Sequence, residues 1–488
     1  MNLHRDILRL AIPSILANIT VPLVGMVDIA VAGHLGSTGG ASGAATLIGG
    51  ISIGTMLFDM IYWNFGFLRA GTGGLTAQAY GRMRKADACE RNEDSGQART
   101  SIATTLKRAL GIALVSGLLL VALQWVIVQI AFLLVDCSPE VQTLATRYFY
   151  IRIWAAPATL SLFAFKGWFI GMQDTVRPMA CDLIVNGVNI LLSIGLGFGH
   201  AGLPALGFAG IAWGTLIAQW TGFTYAALAV WSRYRTFFLK ADSFASPGMT
   251  DGYHPGEVED QRRALPREDL RSFFVLNRDL FLRSVCMIAV YIGFTLISAR
   301  YGDMMLAVGA ILMKLLMIFS YFTDGFAYAG EALTGRFIGE GSREGVRSTV
   351  RQTFLWSLGV TGLFLLVYGV GGVPLFRLMT DDPGVVDAGR EFIPWLLLMP
   401  LIGCPAFTWD GIFTGATASR DMRDAMIWCV VGFFGVWFTL IGLARAILGT
   451  VPEALAIHIL MAAYFTHLAI RAAILSFRAK NSIFAGYK

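Results

Sequence analysis

Charge is scarce in this chain. Of its 488 residues, 14% are Asp, Glu, Lys or Arg, against roughly 25% in an ordinary soluble domain. So little charge cannot cover the surface of a soluble fold of this size, which excludes a cytosolic globular protein. Histidine and cysteine are also few, six of each. Cys89, Cys137, Cys181, Cys286, Cys404 and Cys429 form no pair with metal or redox spacing, so neither a disulfide framework nor a thiolate metal centre is expected. No HExxH stretch and no His/Cys cluster of metal spacing is present, so catalysis is not expected, nor a cofactor or a bound metal. The net charge of +6 is spread over short loops, not gathered into a patch, so nucleic acid is not an expected partner.

What the chain does have is long apolar runs. They recur at roughly 10–33, 46–79, 109–135, 146–171, 179–199, 207–231, 280–300, 305–338, 352–376, 392–416, 425–447 and 453–476. About 20 residues of helix cross the hydrocarbon layer, whereas spanning strands would be short and alternating. The expected fold is therefore an all-α polytopic membrane protein with twelve transmembrane helices. Arg82, Arg84, Lys85 and Arg91, then Arg177, Arg233, Arg235 and Lys240, then Arg343, Arg347, Arg420, Arg423, Arg478 and Lys480 fall on one set of loops. The alternate loops are acidic or neutral. The positive-inside rule places both termini in the cytoplasm and the chain in the cytoplasmic membrane. The long polar stretch 240–278 carries Pro247, Gly248, Pro255, Gly256 and Pro266 and reads as a cytoplasmic linker. Its end, LPREDLRSFFVLNRDLFLRS, is expected to lie on the inner surface as an amphipathic helix. Lobes at 1–239 and 279–488 follow.

The two lobes repeat each other. GGLTAQAYG at 73–81 matches EALTGRFIG at 331–339, and FKGWFIGMQDTVRPM at 165–179 matches WDGIFTGATASRDMR at 409–423. Both matches fall at the inner ends of even-numbered segments. A repeat of six helices, an even number, is parallel, so two pseudo-symmetric six-helix bundles are expected.

The polar residues inside the runs are the functional candidates. Asp28 lies in the second half of the first run. A carboxylate at that depth is costly and should face protein or a water-filled cavity. In a low-dielectric cavity such a group can take up a proton near neutral pH. Asn186, Asn189 and Ser193 are spaced by three and four and share one face of the fifth helix. With Thr215 of the sixth they can hydrogen-bond a carboxylic acid or offer oxygens to a small cation. Their counterparts in the second repeat are Val430, Phe433 and Trp437, and Asp28 pairs with Phe294, so the cluster is confined to the first lobe. Lys166, Asp324 and Asp410 also interrupt apolar runs, and Met317, Tyr321 and Phe326 enrich helix eight in soft apolar groups. These are candidates for a cleft that takes varied apolar cations. Pro13 is read as a first-turn proline of helix one, and Pro22 as a bend before Asp28.

VDIAVAGHLG at 27–36, FLRAGTGGLTAQAYG at 67–81, GWFIGMQDTVRPM at 167–179, LNRDLFLRS at 276–284, TDGFAYAGEALTG at 323–335 and DGIFTGATASRDMRDAM at 410–426 resemble the multidrug and toxic-compound extrusion (MATE) family, in its DNA-damage-inducible (DinF-type) branch. The resemblance implies a two-lobe antiporter that expels small organic, often cationic, compounds in exchange for protons or sodium, and that is expected to work as a monomer. It also implies that Asp28, at the place of the branch's coupling acid, carries the coupling ion. The family often has a second acid where this chain has Ser193, and that departure favours the proton over sodium. The alternatives are sodium coupling and a flippase of a lipid-linked precursor.

Overall fold

The computed structural model describes residues 3–37, 43–134, 137–245, 268–379 and 383–484. Among these the chain is helical and has no strand. The first half runs α1 (Leu3–Ser37), α2 (Ala44–Asn64), α3 (Gly66–Ala88), α4 (Asn92–Ala122), α5 (Gln124–Leu134), α6 (Pro139–Arg152), α7 (Ala156–Gly171), α8 (Val176–Phe198) and α9 (Phe208–Ala245). The second half runs α10 (Glu268–Ser298), α11 (Gly302–Glu340), α12 (Arg343–Met379), α13 (Pro383–Arg390), α14 (Ile393–Gly415), α15 (Ser419–Leu448) and α16 (Glu453–Ser482). Several expected spans are built from two helices in line. The second breaks at Phe65 and the fourth at the 3-10 turn Ile153–Ala155.

Among the described residues, eleven spans are long and apolar enough to cross a bilayer. The sixth expected span, α9, has the length but dilutes its apolar run with Thr215, Gln219, Thr221 and Thr224. With it the described helices make the twelve that the sequence leads one to expect.

Three expectations change. α1 starts at Leu3, so Pro13 is an interior proline, not a first-turn one, and the helix continues through Pro22. The segment before the seventh span is no separate surface helix from Glu268 on. It is one continuous α10, in which Asp279 is fully buried. Burial is tolerated because Arg423 Nη1 donates to Asp279 Oδ1 at 2.8 Å, and Arg278 pairs with the same oxygen at 3.1 Å. Of the expected linker 240–278, residues 246–267 lie outside the described residues, and both ends are helical.

Close contacts divide the chain into two units. One comprises residues 16–254; the other comprises 1–15 together with 255–488. The first unit packs around Phe58, Tyr148, Phe149, Ile153 and Phe208, with a second cluster around Trp168, Phe169 and Ile102. The other packs around Phe294, Phe319, Tyr368, Phe392, Phe433 and Tyr464. Phe294, Phe433 and Trp437 are buried in that core, at the repeat positions where the first half carries Asp28, Asn189 and Ser193.

The repeat seen in the sequence is also a repeat of backbone contacts. Lipid tails are as apolar as leucine, so helices in a membrane associate through close packing at small residues. A Cβ on Gly167 of α7 would lie 2.1 Å from the carbonyl oxygen of Arg69 on α3, and one on Gly411 of α14 would lie 2.0 Å from that of Ala327 on α11. One turn on, Gly171 meets the Gly73 carbonyl and Gly415 the Glu331 carbonyl, at 2.7 and 2.3 Å by the same measure. The turns that follow are copies as well. Gln173 and Thr417 both adopt left-handed backbone, with φ of 61° and 55°. Asp174 N–H reaches back to Phe169 O at 2.9 Å, and Ala418 N–H to Phe413 O at 3.0 Å. Each turn satisfies helix carbonyls that lipid cannot.

Because the neighbouring carbonyl has nowhere to retreat, Gly167→Ala and Gly411→Ala should each cost about 1–3 kcal/mol, the usual penalty of overpacking. In thermal melts of purified protein both should lower Tm, whereas Gly359→Ala, at a glycine whose added Cβ meets nothing within 4 Å, should not. Equal melting of all three variants would refute the matched crossings.

Candidate functional site

Asp28 is carried by α1 and is 6% exposed. Its partner is Ser193 of α8, whose Oγ donates to Asp28 Oδ1 at 3.1 Å. α8 reaches that position because α9 packs tightly against it through Gly210 and Gly214, a GxxxG pair. A Cβ on Gly210 would come within 2.5 Å of the Leu196 carbonyl, and one on Gly214 within 2.8 Å of the Ser193 amide nitrogen. The same approach brings Thr215 to Asn189, whose Nδ2 donates to Thr215 Oγ1 at 2.8 Å.

The direction of that bond follows from chemistry. Thr215 gives its own proton to the Ile211 carbonyl one turn back, at 3.1 Å. Its oxygen can then only accept, so Asn189 must present its NH2 group. Asn189 Oδ1 is left buried and accepts no hydrogen bond among the described residues. Asn186, one turn toward the inner end, donates instead to Thr20 of α1 at 2.6 Å. The polar face of α8 thus binds α1 twice and α9 once. Asp28 thus pairs with Ser193 and Asn189 with Thr215, whereas Asn186 is taken up by Thr20.

The sequence reading missed Arg152. It is the last residue of α6, in the middle of the fourth span, just before the 3-10 turn. Its Nη1 donates to the Tyr148 hydroxyl at 3.0 Å, and its guanidinium lies 4.6 Å from the centre of the Phe58 ring. Asp28 and Asp59 are both within its electrostatic reach. The available signal was an arginine inside an apolar run, four residues after a tyrosine.

The remaining candidates are placed separately. Lys166 pairs with Asp182 of α8. In the other unit Asp410 sits between Arg283 of α10 and Arg471 of α16; Arg471 Nε donates to Asp410 Oδ1 at 3.0 Å. Met317, Tyr321 and Asp324 are half-buried on one face of α11, and Ser320 Oγ donates to Asp324 Oδ2 at 3.4 Å. Phe326 is buried and stacks on Trp356 of α12, with ring centres 6.1 Å apart. The pattern Gly50-Ile51-Ser52-Ile53-Gly54 has the G-x-S-x-G spacing of hydrolases. It lies inside α2, not on a strand-to-helix elbow, and carries no catalytic meaning there. No group of three or more metal-ligating side chains occurs among the described residues.

Asp410 holds two guanidiniums, and removing its charge takes the paired carboxylate from both. Such a loss commonly costs ~3–5 kcal/mol. Asp410→Asn should therefore lower the thermal stability of the purified protein far more than Asp28→Asn, whose aspartate bonds a neutral hydroxyl. Comparable melting of the two variants would contradict the pairing.

The MatE family profile matches residues 95–194 and 280–440. The chain is 32% identical over 432 residues to DNA damage-inducible protein F of Escherichia coli (strain K12), across 87% of this chain and 83% of that one. It is 21% identical over 441 residues to the probable multidrug resistance protein NorM of Thermotoga maritima, across 89% and 83%. Among solved structures, one of a MATE protein in the bent conformation superposes with a TM-score of 0.74 at 17% identity, covering 99% of this chain and 96% of that one. The outward-facing conformation of a multidrug resistance MATE family transporter superposes with a TM-score of 0.71 at 18% identity, covering 99% and 97%.

Proposed function

Because the chain belongs to the multidrug and toxic-compound extrusion family of membrane transporters, we propose that it exports small organic, often cationic, compounds across the cytoplasmic membrane in exchange for protons, with Asp28 as the proton-carrying acid. The carrying observation is the surroundings of Asp28. It is buried in a membrane span and bonded by a hydroxyl. The residues that bond next to it on α8 and α9 are an amide and a second hydroxyl. Together Asp28, Ser193, Asn189 and Thr215 supply several oxygens but one formal negative charge. Sodium must shed its water to enter such a cluster, and one charge compensates that loss weakly. A proton needs only a carboxylate that can hold it.

Substrate and proton are then linked reciprocally: whatever binding state favours substrate release must favour protonation by the same factor. Met317, Tyr321 and Asp324 offer one soft, acidic face for an organic cation, with the protein acting as a monomer and both termini in the cytoplasm. Lys166, Asp410 and Phe326, placed with the cleft on sequence grounds, are read as packing and pairing groups that set the shape of each unit.

Transport in proteoliposomes under separately imposed gradients tests this reading. A proton gradient should drive substrate movement at zero sodium, and a sodium gradient at fixed pH should not. Asp28→Asn should keep expression and melting temperature but reduce proton-driven transport at least a hundredfold. Asp324→Asn should change the relative rates of cationic substrates while leaving transport measurable. Normal pumping by Asp28→Asn, or transport driven by sodium alone, would overturn the mechanism.

A further inference from the structure

The first turns of α12 carry positive charge that no acid of the chain answers. Arg343, Arg347 and Arg351 are spaced by four, so they form one stripe along the helix, a turn apart. All three are exposed. The opposite face, with Val346, Thr349, Val350 and Thr353, is buried in the second unit. Among the described residues none of the three arginines makes a hydrogen bond or an ion pair, and Glu344 in the same turn is exposed and bonds none of them. By contrast Arg177 bonds Asp174, Arg336 bonds Glu340, Arg423 bonds Asp279 and Arg478 bonds Asp421. Left to itself the stripe is unfavourable. Like charges one turn apart repel, and the first turns of a helix carry partial positive charge that disfavours cations. The arrangement calls for an anion from outside the chain.

The kind of anion follows from what comes next along the helix. Residues 352–376 carry no charge. The exposed face continues from Arg351 through Leu355, Leu358, Leu363 and Leu366, each more than half exposed. A soluble anion would use only the arginines. A phospholipid carries its parts in the order of this face: a charged headgroup at the surface, then hydrocarbon. Eight residues of helix place the outer two guanidiniums about 12 Å apart along the axis, so the stripe runs through the headgroup layer. Guanidinium N–H groups bond phosphate oxygens in pairs. Arg351 stands at the edge of the uncharged run, where a long side chain lays its stem on apolar surface and keeps its charge at the interface.

We propose that Arg343, Arg347 and Arg351 form a binding site for the headgroup of an anionic phospholipid, whose acyl chains lie along Leu355 and Leu358. The lipid's charge relieves the repulsion within the stripe and holds the first turns of α12 at the membrane surface. Topology alone asks for positive residues anywhere in a loop. It does not ask for them at intervals of four, in line with the exposed apolar face of the same helix.

The test uses the full-length protein purified in a neutral detergent, with fluorescent phosphatidylglycerol and phosphatidylcholine as probes. Both lipids carry a phosphate, but only the first has a net charge. The variants are Arg347→Gln, the triple change of all three arginines to Gln, the triple change to Lys, and Arg420→Gln at an exposed arginine of α15, each first checked for its melting temperature. Wild type should bind phosphatidylglycerol at least tenfold more tightly than phosphatidylcholine. A cation near an anionic headgroup is usually worth about fivefold, so Arg347→Gln should lose roughly that factor and the triple Gln variant more than tenfold. The triple Lys variant should keep most of the preference, and Arg420→Gln should bind as wild type does. Equal binding of the two lipids by wild type overturns the proposal without any variant. So does a folded triple Gln variant with wild-type affinity; if that variant does not fold, unchanged binding by Arg347→Gln serves in its place. An equal loss in Arg420→Gln would overturn it too, since any surface arginine would then do. Displacement of the lipid by millimolar inorganic phosphate would mark a site for phosphate alone and overturn the lipid assignment.

Discussion

A charge at bilayer depth must find its partner inside the protein, because lipid supplies none. The placement of side chains follows from how each charge meets that demand. Asp410 is held by Arg283 and Arg471, Asp279 by Arg423, and Lys166 by Asp182. The first two sets join helices that are distant in sequence, the third joins two consecutive ones, and each fixes how its helices pack. Asp28 meets the demand differently, with a serine hydroxyl in place of a counter-charge at contact distance. An acid paired directly with arginine is held in one protonation state. An acid held by a neutral donor can change state without breaking the packing around it. The difference between scaffold and site is therefore a difference in the kind of partner.

Much of the architecture was legible because it depends on short-range pattern. Apolar runs of spanning length gave the helices, and two matched stretches gave the repeat, which recurs as crossings of Gly167 on Arg69 and Gly411 on Ala327. Most of the candidate cluster was legible for the same reason: spacings of three and four fix which residues share a face of α8 before any partner is known. What lay hidden depends on which helices meet. Nothing local says that Asn186 turns to Thr20, that Asp410 draws arginines from α10 and α16, or that Phe326 stacks on Trp356. Arg152 was missed for a related reason. An arginine near the start of an apolar run resembles an interfacial residue reaching for water. Only the span's break just after it shows that the residue ends a half-helix, with its guanidinium over the Phe58 ring.

Polarity and packing are also divided unequally between the halves. The positions equivalent to Asp28 and Asn189 are Phe294 and Phe433, both buried against aromatic neighbours in the second unit's core. One half carries an ionisable group and an amide there and the other an aromatic core, although the same backbone contacts assemble both.

The paired turns at Gln173 and Thr417 bear on how such a chain diversifies. Neither residue is glycine, both hold a backbone that glycine adopts more easily, and the bonds around them are the same. A feature with that cost and that detail is more economically inherited twice than invented twice. After a duplication, the contacts that fix the backbone constrain both copies, because they depend on the absence of a side chain or on main-chain bonds. The ionisable groups depend on neither. They can be gained in one copy and lost in the other while the shared framework persists, so a symmetric ancestor can give rise to a descendant whose two halves do different work.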